Sequence, residues 1–150
     1  MKRIAKVSLA ATAVVAGLVL LTGFRGGCGG HGHDPARIER AVAAHLADAL
    51  DDLKATGPQR AEGVALKDRL LNDGQALAAG QREAKRELLA QWDAEKPDAG
   101  KVHALVDARV DALRAFAHEA ADAALQLHGI LTPEQRAQVS RKVHRRVDDR

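Results

Sequence analysis

The sequence predicts an all-α fold, an antiparallel arrangement of four to five helices preceded by an N-terminal signal or anchor segment. Alanine, the strongest intrinsic helix former, occurs 31 times. The two Phe, one Trp and no Tyr leave too few aromatic residues, with few β-branched ones beside them, to build a sheet. Apolar residues recur at steps of three and four over long stretches, the period of a helix with one buried side. A core of Ala, Leu and Val is thin because each side chain buries little area. Further burial from a second chain is therefore expected.

The first element is a targeting segment, residues 1–24. Met1 to Lys6 is basic, and Val7 to Phe24 holds only small, apolar or hydroxyl side chains. This reads as a signal peptide or a membrane anchor over residues 4–24. The basic end stays in the cytoplasm, so the remainder is placed in the periplasm or anchored facing it. Cleavage after Gly29 would have small residues at both required positions. Cys28 follows Arg25-Gly26-Gly27 where a lipobox would have an aliphatic residue, which argues against lipidation, and a single cysteine excludes an internal disulfide. Residues 25–34 form a Gly/His-rich tether, and residues 35–150 form the helical domain.

Asp34 and Pro35 open the first helix as cap and first-turn proline. Its stripe is Ile38, Val42, Leu46, Leu50 and Leu53, ending near Lys54. Thr56-Gly57-Pro58-Gln59 opens a second helix, with Leu70, Leu71, Leu77 and Ala78 on its seam. Gly74 and Gly80 weaken it, so a bend or break near Gly80 is expected. A short third helix through Leu88, Leu89 and Trp92 would then end at Lys96-Pro97-Asp98. From Ala99 to His128, Val102, Leu105, Val106, Leu113, Phe116, Ala117, Ala120, Ala124 and Leu127 fall on one side. His103, Asp107, Asp111, Arg114, His118 and Asp122 fall on the other. Arg109 interrupts the apolar stripe at its centre. Gly129 stops this helix, and a last one starts at Pro133 with Val139, Val143 and Val147 inward.

The net charge of +3 is misleading. Lys2, Arg3, Lys6 and Arg25 precede residue 34, and no acid does. The remaining 19 bases face 20 acids, a balance that argues against a nucleic-acid binder. Catalytic machinery is also missing from the pattern. Ser8 and Ser140 are the only serines, there is no HExxH, and the glycines form no phosphate loop. The chain does not read as an enzyme.

Leu131-Thr132-Pro133-Glu134-Gln135 is the most informative stretch. Thr132 accepts from an orphan backbone N–H, Pro133 fits the first turn, and Gln135 reaches back to the cap. The device occurs earlier as Ala55-Thr56-Gly57-Pro58-Gln59, and both copies continue with Arg-Ala, at Arg60-Ala61 and Arg136-Ala137. Two ordinary capping boxes are the plain reading of each copy alone. With the export signal and a long amphipathic helix between them, the sequence resembles the Spy/CpxP superfamily of periplasmic LTxxQ-motif proteins, which includes metal-resistance and sensor proteins of the ZraP and CnrX type. Leu131, Thr132 and Gln135 match the motif in full. Thr56 and Gln59 match the first copy, with Ala55 in place of Leu. The resemblance implies a helical hairpin that pairs with a second copy into a cradle-shaped homodimer. It also implies an ATP-independent chaperone of unfolded envelope proteins, or a stress-signalling adaptor. The alternative is a heavy-metal sensor for Zn, Ni or Cu that signals to a membrane-bound partner.

Candidate sites follow. Cys28, His31, His33 and Asp34 on the tether are competent ligands for Zn, Cu or Ni, or else part of a solvated linker whose ordering costs entropy. His103 with Asp107, and His118 with Asp122, are four apart, suited to sharing a cation or to ordinary intrahelical pairing; His118 is the favoured partner of the tether. Arg109 either snorkels or presents charge within an apolar client-binding surface together with Leu113 and Phe116. The chaperone reading requires no cofactor, and the sensor reading would take Zn, Ni or Cu. The basic cluster Arg141, Lys142, Arg145 and Arg146 suits helix-end charge complementarity or, alternatively, the docking of acidic clients.

Overall fold

The computed structural model describes residues 35–148. The targeting segment, the tether and the cap at Asp34 lie outside these residues. Among the described residues there are four helices and no strand: α1 (Pro35–Asp52), α2 (Gly57–Asp93), α3 (Ala99–Ile130) and α4 (Pro133–Asp148). Each of the chain's four prolines lies within two residues of a helix start, where a missing N–H removes no intrahelical bond. Asp98 accepts from the Lys101 N–H at 3.1 Å as the N-cap of α3, and Gln91 Oε1 receives the Asp98 N–H at 2.9 Å across the α2–α3 turn.

The expected break at Gly80 and the separate short helix at Leu88–Trp92 are not found. α2 runs unbroken for 37 residues, about 55 Å at the α-helical rise. No proline interrupts it after Pro58, and the two glycines are occupied from outside. A Cβ on Gly74 would touch the Phe116 ring at 3.7 Å, and one on Gly80 would overlap Nη1 of Arg109. A helical glycine costs about 1 kcal/mol; at Gly80 it leaves room for the Arg109 head, whereas at Gly74 a Cβ would sit at ordinary contact distance. α3 likewise continues through Gly129 to Ile130, with Leu131 as its extended C-cap.

α2 and α3 pack antiparallel as the body of the molecule, with Phe116 against Gly74 and Arg109 against Gly80 in a single register. Bulky residues on one helix thus face glycines on the other, as knobs into holes. α1 packs on α2 by the same rule, with the methyls of Leu46 and Leu50 at 3.6–3.8 Å from where a Cβ of Gly63 would be. Leu46, Leu50 and Ala55 form a small buried cluster.

The α1–α2 turn explains that cluster. Ala55 N–H bonds to the Leu50 carbonyl and Lys54 N–H to that of Asp51, both at 2.9 Å. This is a Schellman ending in which Lys54, at φ 50°, takes the left-handed place usually given to glycine. Ala55 is then the residue whose apolar contact with Leu50 completes the motif. The side chain at the Leu position of the first repeat is consequently buried, as is Leu131 in the second.

Two substitutions check this packing. Lys54→Gly removes a left-handed β-carbon and is expected to raise the free energy of unfolding by about 1 kcal/mol. Gly63→Ala places a methyl at ordinary contact distance from Leu46 and Leu50 and is expected to add about 0.5–1 kcal/mol. Urea unfolding followed by helical circular dichroism measures both.

Candidate functional site

The two motif copies meet. In each, the glutamine bonds its own cap: Thr56 N–H donates to Gln59 Oε1 and Thr132 N–H to Gln135 Oε1, both at 2.9 Å. The threonine hydroxyls return the bond, accepting from Gln59 N–H at 3.4 Å and Gln135 N–H at 3.3 Å. The glutamine side chains then pair with one another. Gln59 Nε2 donates to Gln135 Oε1 at 2.9 Å, and Gln135 Nε2 donates to Gln59 Oε1 at 3.2 Å. Each amide spends its second N–H on a backbone carbonyl near the end of the preceding helix, Gln59 on Ile130 at 2.8 Å and Gln135 on Leu53 at 3.1 Å. Both amides use all of their donors and both acceptor positions.

The arginines that follow each motif have parallel tasks. Arg60 donates to the Ala55 carbonyl at 3.1 Å and pairs with Asp51 at 2.7 Å, and Arg136 donates to the His128 carbonyl at 3.3 Å. Positive charge thereby sits at the C-terminal ends of α1 and α3, where the helix dipole favours it. α4 adds Gln138 on the Asp52 carbonyl at 3.1 Å and Lys142 on the Asp52 carboxylate at 2.7 Å. The basic cluster on α4 is therefore committed in part to the end of α1. Glu134, in the first turn of α4, has its carboxyl held below the usual range by its own backbone N–H, then by the Thr132 hydroxyl and by Arg136.

Away from this closed end, α2 and α3 leave an open groove of about 480 Å³. Gly74, Leu77, Ala78, Ala84 and Leu88 line it from α2, and Leu105, Val106, Val110, Leu113 and Phe116 from α3. Gln81 and Arg109 are its only polar lining residues. Val106 and Val110 are each 48% exposed and Leu113 is 40% exposed. These side chains form one contiguous apolar strip along α3. Of the three residues expected to receive clients, Arg109 and Leu113 line the groove wall, whereas Phe116 is only 6% exposed and forms its floor on Gly74. Val110 and Leu88 join them. The signal for Val110 was the 106–113 row of α3 at steps of three and four; Leu88 stands on α2.

His31, His33 and Asp34 lie outside the described residues. His118 is exposed on α3, and among the described residues no three His, Cys, Asp or Glu side chains are placed to hold an ion. A family model described as LTXXQ motif family protein matches residues 41–142, a span that takes in both motif copies, the groove and nearly all of the four-helix body. No curated protein and no solved structure matches the chain.

The amide pair makes a pH-dependent prediction. In Gln59→Glu the carboxylate would set acceptor against acceptor at Gln135 Oε1 and the Ile130 carbonyl. The folded-state pKa of the new group would be raised above the usual ~4.3. The variant should lose about 2–3 kcal/mol at neutral pH. The deficit should shrink as pH falls through that raised value, because the protonated acid again donates. Urea titrations of both proteins at neutral and acidic pH check the sign.

Proposed function

Because the chain belongs to the LTXXQ motif family, the family of the Spy/CpxP superfamily, we propose that it is a periplasmic, ATP-independent holdase-type chaperone of the envelope-stress class. The observation that carries this reading is the groove between α2 and α3. A strip of half-exposed Val106, Val110 and Leu113 borders a floor formed by Phe116 on Gly74. It offers an apolar client segment burial at about 25 cal/mol per Å², without a deep pocket that would retain it. Capture and release then need no nucleotide, since transient contact with an open strip is weak and reversible.

A second copy of the chain has a place in this scheme. At the α2–α3 tip, Trp92 is 82% exposed and Leu89 is 53% exposed, large apolar side chains that a dimer contact would cover. In this arrangement the tips engage the partner while the grooves stay open, and together the two copies form the cradle.

Wild-type protein in several-fold excess should suppress aggregation of an unrelated unfolded protein without nucleotide or metal. Val110→Asp and Leu113→Asp, at exposed positions where the fold tolerates polar side chains, should each remove more than half of that suppression at unchanged helicity. No suppression by the wild type would overturn the reading. The tip is tested separately by sedimentation equilibrium and by emission from Trp92, which should shift to shorter wavelength as the protein is concentrated. Trp92→Lys should weaken self-association.

A further inference from the structure

α1 shows what one face of α2 carries. Leu46 and Leu50, a helical turn apart, are the buried residues of α1. They seat on Gly63, their methyls at 3.6–3.8 Å from where its Cβ would be. Gly74 follows Gly63 by about three helical turns and so lies on the same side of α2, as does Gln81 about two turns further on. Both line the open groove, and no residue of α1 does. The groove is thus the uncovered continuation of the face on which α1 sits. Its walls also select the shape of an occupant. Both are unbroken helices, α2 of 37 residues and α3 of 32, whose backbone donors and acceptors along the groove are bonded within each helix. A strand-like occupant finds no edge to pair with. Gln81 and Arg109 are the polar lining residues, and the Arg109 head lies on Gly80, which lines the neighbouring hollow with Asp73 and Glu119. The inward N–H and C=O groups of an extended chain would therefore meet apolar walls without partners, whereas a helix has bonded its own.

Resting on the client-groove reading above, we propose that the groove takes an amphipathic helical segment with aliphatic side chains at i, i+3 or i+4, and i+7, seated as α1 is on Gly63. The lining is spaced for it. Val106, Val110 and Leu113 follow one another at steps of four and three on α3, and Gly74, Ala78 and Gln81 do so on α2. The α2 lining runs from Gly74 to Leu88, about 20 Å at the α-helical rise, the length of a helix of about four turns. The stripe of the occupant packs along the three aliphatic residues of α3 and over the small Ala78, with its polar side turned to water. The preferred client is then a chain that has formed helix without yet burying its apolar side, and a fully extended segment is the poorer one.

The test uses two labelled peptides of identical composition, Leu, Ala, Gln and Lys, on the full-length protein. In one the leucines recur at steps of three and four, and in the other they alternate with polar residues. Fluorescence anisotropy should show the first binding roughly tenfold more tightly, the effect of about one backbone group left unpaired in the second. Carbon chemical shifts of the isotope-labelled first peptide should become helical on binding. A central proline in that peptide should remove its advantage, and Val110→Asp should weaken its binding roughly tenfold. Equal affinities, or tighter binding of the alternating peptide, overturn the helical seat and leave the client groove standing. Failure of both peptides to bind also overturns the helical seat. The client groove falls with it only if the wild type fails to suppress aggregation as well. Protection of Val106, Val110 and Leu113 in a self-associated form would overturn the proposal by making a second copy the occupant.

Discussion

The structure depends on the mutual pairing of two side-chain amides, Gln59 and Gln135. Four helix ends converge where they meet: the C-termini of α1 and α3 and the N-termini of α2 and α4. Helix ends carry orphan donors and acceptors, and bringing four together away from water would be costly unless those groups were answered. Each glutamine answers its own cap N–H, a carbonyl at the end of the preceding helix, and its counterpart. The cost of losing one amide is therefore larger than one hydrogen bond, since it strands groups on three chain segments. Arg60 and Arg136 then place positive charge on the carbonyls gathered there, and Lys142 pairs with the Asp52 carboxylate beside them.

Closing the chain at one end is what permits it to remain open at the other. With α1 and α4 gathered at the amide pair, α2 and α3 extend as a two-helix arm that has, among the described residues, no third layer over the groove. A two-helix arm cannot bury much. Its seam compensates by setting large side chains into glycine holes, Phe116 on Gly74 and Arg109 on Gly80. Among the described residues the buried hydrophobic ones are correspondingly few, from Leu46 to Leu131, and none is fully enclosed. The same shortage of covering layers leaves Val106, Val110 and Leu113 in contact with water, the exposure on which the proposed binding of an apolar segment rests.

Local features were legible in the sequence. Thr56 and Thr132 announce helix starts because a capping box is completed within four residues, and the apolar stripe of α3 is periodic enough to be read unaided. What could not be read was the encounter of the two boxes across 76 residues, since capping chemistry is satisfied locally whether or not the boxes meet. The matched Arg60 and Arg136 were its only trace. Gly80 was misread as a break because helix propensity is a local quantity. Its role depends on Arg109, which the same reading had noticed as an outlier without knowing that the two positions face each other. Ala55 in the Leu position looked like a weakened motif, but the left-handed turn at Lys54 brings that small residue onto Leu50. The histidines gave no site among the described residues because spacing along one helix supplies two ligands at most.

The central claim is that the two glutamines act as one unit, and a double-mutant cycle tests it most directly. Unfolding free energies of the wild type, Gln59→Ala, Gln135→Ala and the double variant should give a coupling energy of about 1–3 kcal/mol, with the second substitution costing much less once the first is made. Losses that add to within a few tenths of a kcal/mol would show that the motifs cap their helices independently, and would contradict the account.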